Sequence, residues 1–289
     1  MADRQTVADL KIKAYRCRKH VLRMMRSSGH GHIGGSFSCL DLVTALYFYG
    51  MKTDPDNPGA PDRDRFLLSA GHKCMAQYAV LAEKGFFPKE VLDTYGRLHS
   101  KIPGHPDMHK LPGIEANTGA LGHGLSIACG MALGQRLNES TSRVFVVMGD
   151  GELTEGSNWE GAAAAAQYGL DNLTVFVDNN GLQISGRVEA VMNMTPIDEH
   201  FEAFGWAVKN IDGNSMEEIT ETLDSLPLKR GKPSLIVAHT VKCKGLSEGE
   251  DNVSYHYWQP GKDQLDAAEK EIEARIEELE AVALRRQSV

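Results

Sequence analysis

The chain of 289 residues carries a formal net charge of −8, with 42% hydrophobic and 24% charged residues. That balance suits a globule with a large core and excludes nucleic-acid binding by bulk electrostatics. No apolar run is long enough to cross a bilayer, Met1-Ala2-Asp3-Arg4-Gln5-Thr6 lacks an apolar signal core, and five cysteines (Cys17, Cys39, Cys74, Cys129, Cys243) without CxxC spacing read as reduced thiols of a cytoplasmic protein.

In chain order, Leu10, Tyr15, Cys17, Val21, Leu22 and Met25 set an apolar stripe that predicts a helix over the first 28 residues. Four glycines between Ser28 and Ser36 predict a loop that approaches something closely. Ser36 or Ser38 is placed to cap a helix running to about Tyr49. Residues 52–64 read as loop, 65–69 as a buried strand ending at Ala70-Gly71-His72, and 100–119, with three prolines, as loop again. A small-residue helix is expected over 122–137. From Val144 the order is strand 144–148, helix 158–168 with five consecutive alanines, strand 173–177, helix 197–204, strand 206–211, helix 215–226 and strand 234–239. Asp263 is placed to cap an amphipathic helix over 263–287. Strands alternating with helices predict an α/β fold whose parallel sheet is flanked by helices on both faces, built as one domain over 1–289. Helices 122–137 and 158–168 are equally candidates for contact with another chain or with their own sheet.

Ligands of such sheets sit beyond the carboxyl ends of the strands, where His72, Asp150, Asn180 and the stretch after His239 fall. Gly149-Asp150-Gly151 ends one apolar strand and Asn179-Asn180-Gly181 follows the next. Each alone reads as a turn. Together, one strand-helix-strand unit apart, they read as a site for a hard cation carrying a diphosphate. Asp150 offers a charged oxygen, Asn180 a neutral one and Leu182 a backbone carbonyl. Diphosphate oxygens and water complete the shell, and the glycines beside Asp150 let the ligand approach.

Gly149-Asp150-Gly151 with Asn179-Asn180 resembles the thiamine diphosphate motif. Ser28-Gly29-His30, Asp64 to His72, Pro103-Gly104-His105-Pro106 and Thr118 to Gly124 are similar, in order, to blocks of the N-terminal part of transketolases, so that the resemblance spans about residues 10 to 260. It implies thiamine diphosphate with Mg²⁺, or with Mn²⁺ or Ca²⁺ as substitutes, and two-carbon ketol transfer between sugar phosphates. It implies that His72 binds the diphosphate, that His30, His105 and His256 line the reactive centre as catalytic groups, that Gly119 and Leu121 lie by the aminopyrimidine, and that Glu155 links the two cofactor sites of a dimer. Histidines suit the proton transfer of such a reaction. His20, His99, His109, His200 and His239 are read as structural. The chain departs from the family pattern at Gly31-His32, where Pro-Gly is usual, and at His123, where glutamine is common. His32 adds an anion contact or fills space. Both departures leave substrate identity open among ordinary sugars, sulfonated or branched sugars and a deoxyxylulose phosphate synthase-like or dihydroxyacetone synthase-like reaction; a non-catalytic cofactor-binding chain is the remaining alternative.

The sequence stops at Val289, before the pyrimidine-binding and C-terminal domains of a full transketolase. The resemblance therefore implies the N-terminal subunit of a split enzyme: two copies of this chain with two copies of a C-terminal subunit, inactive alone, with no nucleic-acid or membrane partner.

Overall fold

A computed structural model describes residues 2–287, so Met1, Ser288 and Val289 of the expected 1–289 domain lie outside the described residues. Asp3 opens α1 (Arg4–Ser28) by accepting the Thr6 amide at 2.7 Å, and Gly29, at φ 77°, ends it in the left-handed conformation that glycine adopts without strain. After α2 (Ile33–Ser38), α3 (Leu40–Ala45) and a π-turn over Leu46–Gly50 come β1 (Arg65–Leu68) and α4 (Cys74–Lys84). The chain continues through α5 (Gly124–Leu137), β2 (Val144–Gly149), α6 (Gly156–Gln167) and β3 (Leu173–Asn179). A short hairpin, β4 (Leu182–Gln183) with β5 (Gly186–Arg187), leads through α7 (Val188–Val191) and α8 (Ile197–Ala203) to β6 (Ala207–Asp212), α9 (Met216–Asp224), β7 (Ser234–His239) and α10 (Lys262–Gln287).

Among the described residues five strands form one parallel sheet in the order β1-β2-β3-β7-β6. Period-two alternation divides the strand side chains between two cores. Phe66, Leu68, Phe145, Val147, Phe176 and Ile236 face the helices α1, α3, α4, α9 and α10. Leu67, Val144, Val146, Val175, Val177 and Leu235 face α5, α6 and α8. Burial on both faces is why these strands read as continuous apolar runs.

Two capping expectations are corrected. Ser36 and Ser38 lie inside α2, not before it: the Ser36 hydroxyl donates to the His32 carbonyl at 2.9 Å and the Ser38 hydroxyl to Asp178 at 2.6 Å. Of the four glycines read as loop, Gly29 and Gly31 lie outside helices, whereas Gly34 and Gly35 are helical and let α2 approach its neighbours closely; a Cβ on Gly34 would meet the Tyr255 carbonyl oxygen at 2.6 Å. Asp263 falls in the first turn of α10 rather than at its cap, because the helix begins at Lys262. The expected continuous helix to Tyr49 is divided among α2, α3 and the π-turn. Helices α5 and α6 each bury one face and expose the other: Leu125, Ala128, Ala132, Ala162 and Ala165 are buried on the sheet side, while Ile127, Gly130 and Ala163 stay exposed.

Candidate active site

In the register of the sheet Gly149 pairs with Asp178 and Asn179 with His239, so the ends of β2, β3 and β7 lie side by side. Asp150 reaches across this edge. Its Oδ1 accepts the Gly151 amide at 2.8 Å and its Oδ2 accepts the Gly181 amide at 2.6 Å, which ties the Gly-Asp-Gly turn to the Asn-Asn-Gly turn. Burial raises the Asp150 carboxyl to about 6 against the pull of Lys73, so the ionised form lacks compensation for its lost water. The Asn180 amide donates to Asp178 at 3.2 Å, and its oxygen accepts the Leu182 amide at 3.2 Å. The Leu182 carbonyl accepts a hydrogen bond from Lys242 Nζ at 3.0 Å. One carboxylate, one amide and one carbonyl are thus held on two joined turns. Among the described residues no group of three or more His, Cys, Asp or Glu side chains is placed to hold a metal. This donor set fits a cation that keeps phosphate and water oxygens, as Mg²⁺ does, rather than a cage made wholly of protein.

Four residues packed around these turns, Asp178, Lys73, Lys242 and Glu152, are not marked by sequence motifs. Asp178, fully buried, accepts from Ser38, from Thr240 and, at 2.6 Å, from Lys73 Nζ. Burial pulls the Lys73 ammonium down, but Asp178 outweighs it and holds it above its ordinary value. A Cβ on Gly149 would lie 3.3 Å from that ammonium. Lys242, also buried, sits 3.1 Å from His256 Nδ1 as well as on Leu182, and burial followed by repulsion from Lys73 lowers it to about 8. Glu152 accepts the Gly122 amide at 3.0 Å, the Gly149 amide at 3.1 Å and the Ser69 hydroxyl, which draws the ends of β1 and β2 and the start of α5 together. Desolvation raises its pKa.

The histidines gather above. His32 lies edge-on to His72 at 5.2 Å and to His256 at 5.5 Å between ring centroids, and His72 lies 5.7 Å from His256. His30 stands outside this group, exposed and hydrogen-bonded to Tyr257. His32, expected to contact an anion or fill space, lies within this group. Desolvation first, then neighbouring cationic or histidine groups, lowers His72 to about 2, His256 to about 3 and His32 to about 4. All three are neutral imidazoles at pH 7, able to donate with one nitrogen and accept with the other. His105 is exposed, and burial of part of its ring still lowers its pKa. The ring lies against Gly119, where a Cβ would meet its Cδ2 at 2.7 Å. The Leu121 carbonyl oxygen lies 3.1 Å from His123 Nδ1. Glu155 is exposed at the start of α6 and packs its Cβ where a side chain on Gly122 would stand. Of the histidines read as structural, His20 bonds Glu83, His239 bonds Asn210, and His200 lies edge-on to Trp159.

Residues 11–277 match the family described as transketolase, thiamine diphosphate binding domain. The chain belongs to this family. It is 43% identical over 274 residues to one of the subunits of the apulose-4-phosphate transketolase of Phocaeicola vulgatus, covering 95% of this chain and 97% of the relative. It is 41% identical over 265 residues to a 6-deoxy-6-sulfo-D-fructose transketolase subunit of a Clostridium strain, covering 92% and 96%. A Pichia stipitis transketolase variant superposes with a TM-score of 0.83 at 27% identity, over 97% of this chain and 45% of that one. The Campylobacter jejuni transketolase superposes at 0.81 and 29% identity, over 100% of this chain and 48% of that one. The chain therefore spans nearly the whole of the transketolase subunits it matches and under half of the solved transketolases. No described helix is long and apolar enough to cross a membrane.

Proposed function

We infer that this chain is the diphosphate-binding subunit of a thiamine diphosphate-dependent transketolase, moving a two-carbon ketol unit between sugar phosphates with a separate C-terminal subunit. The observation that carries this is the joining of Asp150 to the Asn180–Leu182 turn by the Gly181 amide, and the link from Leu182 through Lys242 to the His32–His72–His256 group. Asp150, Asn180 and the Leu182 carbonyl, which Lys242 also contacts, would hold Mg²⁺, or Mn²⁺ or Ca²⁺ in its place. His72, Gly149 and Gly151 line the diphosphate, and Gly119 and Leu121 the aminopyrimidine. When bound, thiamine diphosphate supplies the electron sink for the two-carbon unit.

The chain's own residues bind, orient and move protons. His30, His105 and His256, with His32 beside His256, take up the proton that a sugar hydroxyl loses and return it to the product alkoxide. Glu152 ties the Gly149 end of β2 to Gly122, and Asp178 near the end of β3 holds Lys73, the neighbour of His72. Glu155 joins the two cofactor sites of a pair of these chains.

The relatives named as subunits support a companion polypeptide, which we place with this chain in a heterotetramer of two copies each. The names of the same relatives, which give apulose 4-phosphate and a sulfonated fructose, favour a modified sugar as a second reading. Two cores on one shared sheet support a single cofactor domain over 1–289, and five buried, unpaired cysteines support a cytoplasmic location. Product analysis after mixing with the companion subunit tests the function. Ketol transfer is expected, its sugar product distinguishes the two readings, and its absence with every phosphorylated or sulfonated sugar contradicts both.

A further inference from the structure

The Asn180 amide has two unlike ends. Its oxygen attracts a divalent ion and its NH₂ repels one, so the side chain serves a cation only when turned one way. Its neighbours fix that turn. The nitrogen donates to Asp178 Oδ2 at 3.2 Å and to the Ser38 hydroxyl at 3.4 Å. The oxygen accepts the Leu182 amide at 3.2 Å and keeps a second lone pair. An ionised carboxylate only accepts and a backbone N–H only donates, so both partners demand the same orientation.

Alternation along the extended chain sends Asp178 and Asn180 to the same side of β3. Asp178 is fully buried there, and a bare carboxylate so near the site would compete for the ion. Its donors prevent this. Ser38 and Lys73 both reach Oδ2 at 2.6 Å beside Asn180, and the Thr240 hydroxyl donates to Oδ1. The buried Lys73 ammonium balances its charge. Asp150 instead accepts one backbone amide on each oxygen and keeps a lone pair on both.

We propose that Asp178, with Lys73 as its counter-ion, is the positioning residue of the cation site: it holds the nitrogen end of Asn180 inward and so presents the oxygen end to the divalent ion. This rests on the transketolase reading, which puts that ion on Asp150 and Asn180.

A charge-balanced pair of changes tests it in the reconstituted complex. Asp178→Asn removes the obligatory acceptor, and Lys73→Met in the same chain removes the ammonium that would be stranded. Calorimetric uptake of thiamine diphosphate with magnesium is expected to weaken on the order of tenfold in this double variant. Asn180→Asp then separates orientation from packing, because a carboxylate offers oxygen at either end. Added to the parent, it sets a second carboxylate against Asp178, where the amide nitrogen lies at 3.2 Å, and weakens uptake. Added to the double variant, it accepts from the amide introduced at position 178 and restores uptake to within about threefold of the parent. Unchanged uptake in the double variant, or an Asn180→Asp effect of the same sign in both backgrounds, overturns the proposal. Failure of the unsubstituted complex to take up coenzyme contradicts the transketolase reading instead. In that case, or if the double variant does not fold, the orientation is read in the parent chain by nitrogen-resolved hydrogen exchange. The Asn180 side-chain amide protons are expected to exchange on the order of tenfold more slowly than those of exposed Asn138. Equal rates overturn the proposal.

Discussion

Glu152→Ala leaves the Gly122 and Gly149 amides and the Ser69 hydroxyl buried without an acceptor. At roughly 1–3 kcal/mol for each stranded donor, offset by the carboxylate's own desolvation, the expected loss is about 3 kcal/mol. Glu152→Gln keeps one acceptor oxygen and loses less. Urea denaturation reads both, and a change within about 0.5 kcal/mol for the alanine variant contradicts this role. The histidines give a pH signature. Their folded pKa values lie below the ordinary 6.5, at about 4 for His32 and about 3 for His256. The unfolded chain therefore takes up protons from about pH 6.5 downward that the folded chain refuses, and stability falls as pH drops toward 4. Paired carboxylates such as Glu83, lowered to about 2 beside His20 and Lys89, lose their contribution only below 4.5, a separate window. Thermal melts at pH 7 and pH 5 are expected to show a larger drop for the parent chain than for a His32→Asn, His256→Asn variant; equal drops refute the assignment. Asp150 and Asn180 were legible in the sequence because two apolar strands place them at neighbouring tips. Lys73, Lys242 and Glu152 were not, because nothing in local spacing shows that three loops share one buried volume.

Among the elements, α10 rests along α1. Leu265, Ala268 and Ile272 are buried at this seam, while Arg26 with Asp266 and Glu269, Arg16 with Glu280 and Lys19 with Glu273 fringe it as exposed pairs. The apolar seam should decide the docking. Ile272→Ala, at a fully buried site, is expected to cost on the order of 2–5 kcal/mol. Arg26→Ala, which breaks exposed pairs, should cost at most about 1 kcal/mol. The reverse order in chemical denaturation contradicts this account. Strand and helix positions were readable from periodicity to within a few residues, since the parallel sheet demands apolar runs and the helices demand stripes. Glycine composition alone does not distinguish a loop from the tightly packed helix α2. There it permits close helix contact, with Gly34 against the Tyr255 carbonyl. That contact carries the 253–258 segment, and with it His256 and Tyr257, into place. The β4–β5 hairpin was missed because two-residue strands leave no period to detect.

At the scale of the whole molecule, the parallel sheet brings β2, β3 and β7 to one edge and so gathers residues from 150 to 256 with others from 30 to 123. The chain matches under half of the solved transketolases. The reconstituted complex should show ketol transfer, whereas this chain alone should show none; turnover by the chain alone contradicts the split arrangement. The most direct measurement is a calorimetric titration of thiamine diphosphate, with magnesium, into the chain mixed with its companion subunit, run beside Asp150→Ala and Asn180→Ala. Saturable uptake is predicted for the parent complex, weakened in both variants by at least the roughly 10–100-fold typical of changes around a metal site. No uptake by the parent complex, or uptake indifferent to both substitutions, would contradict the account.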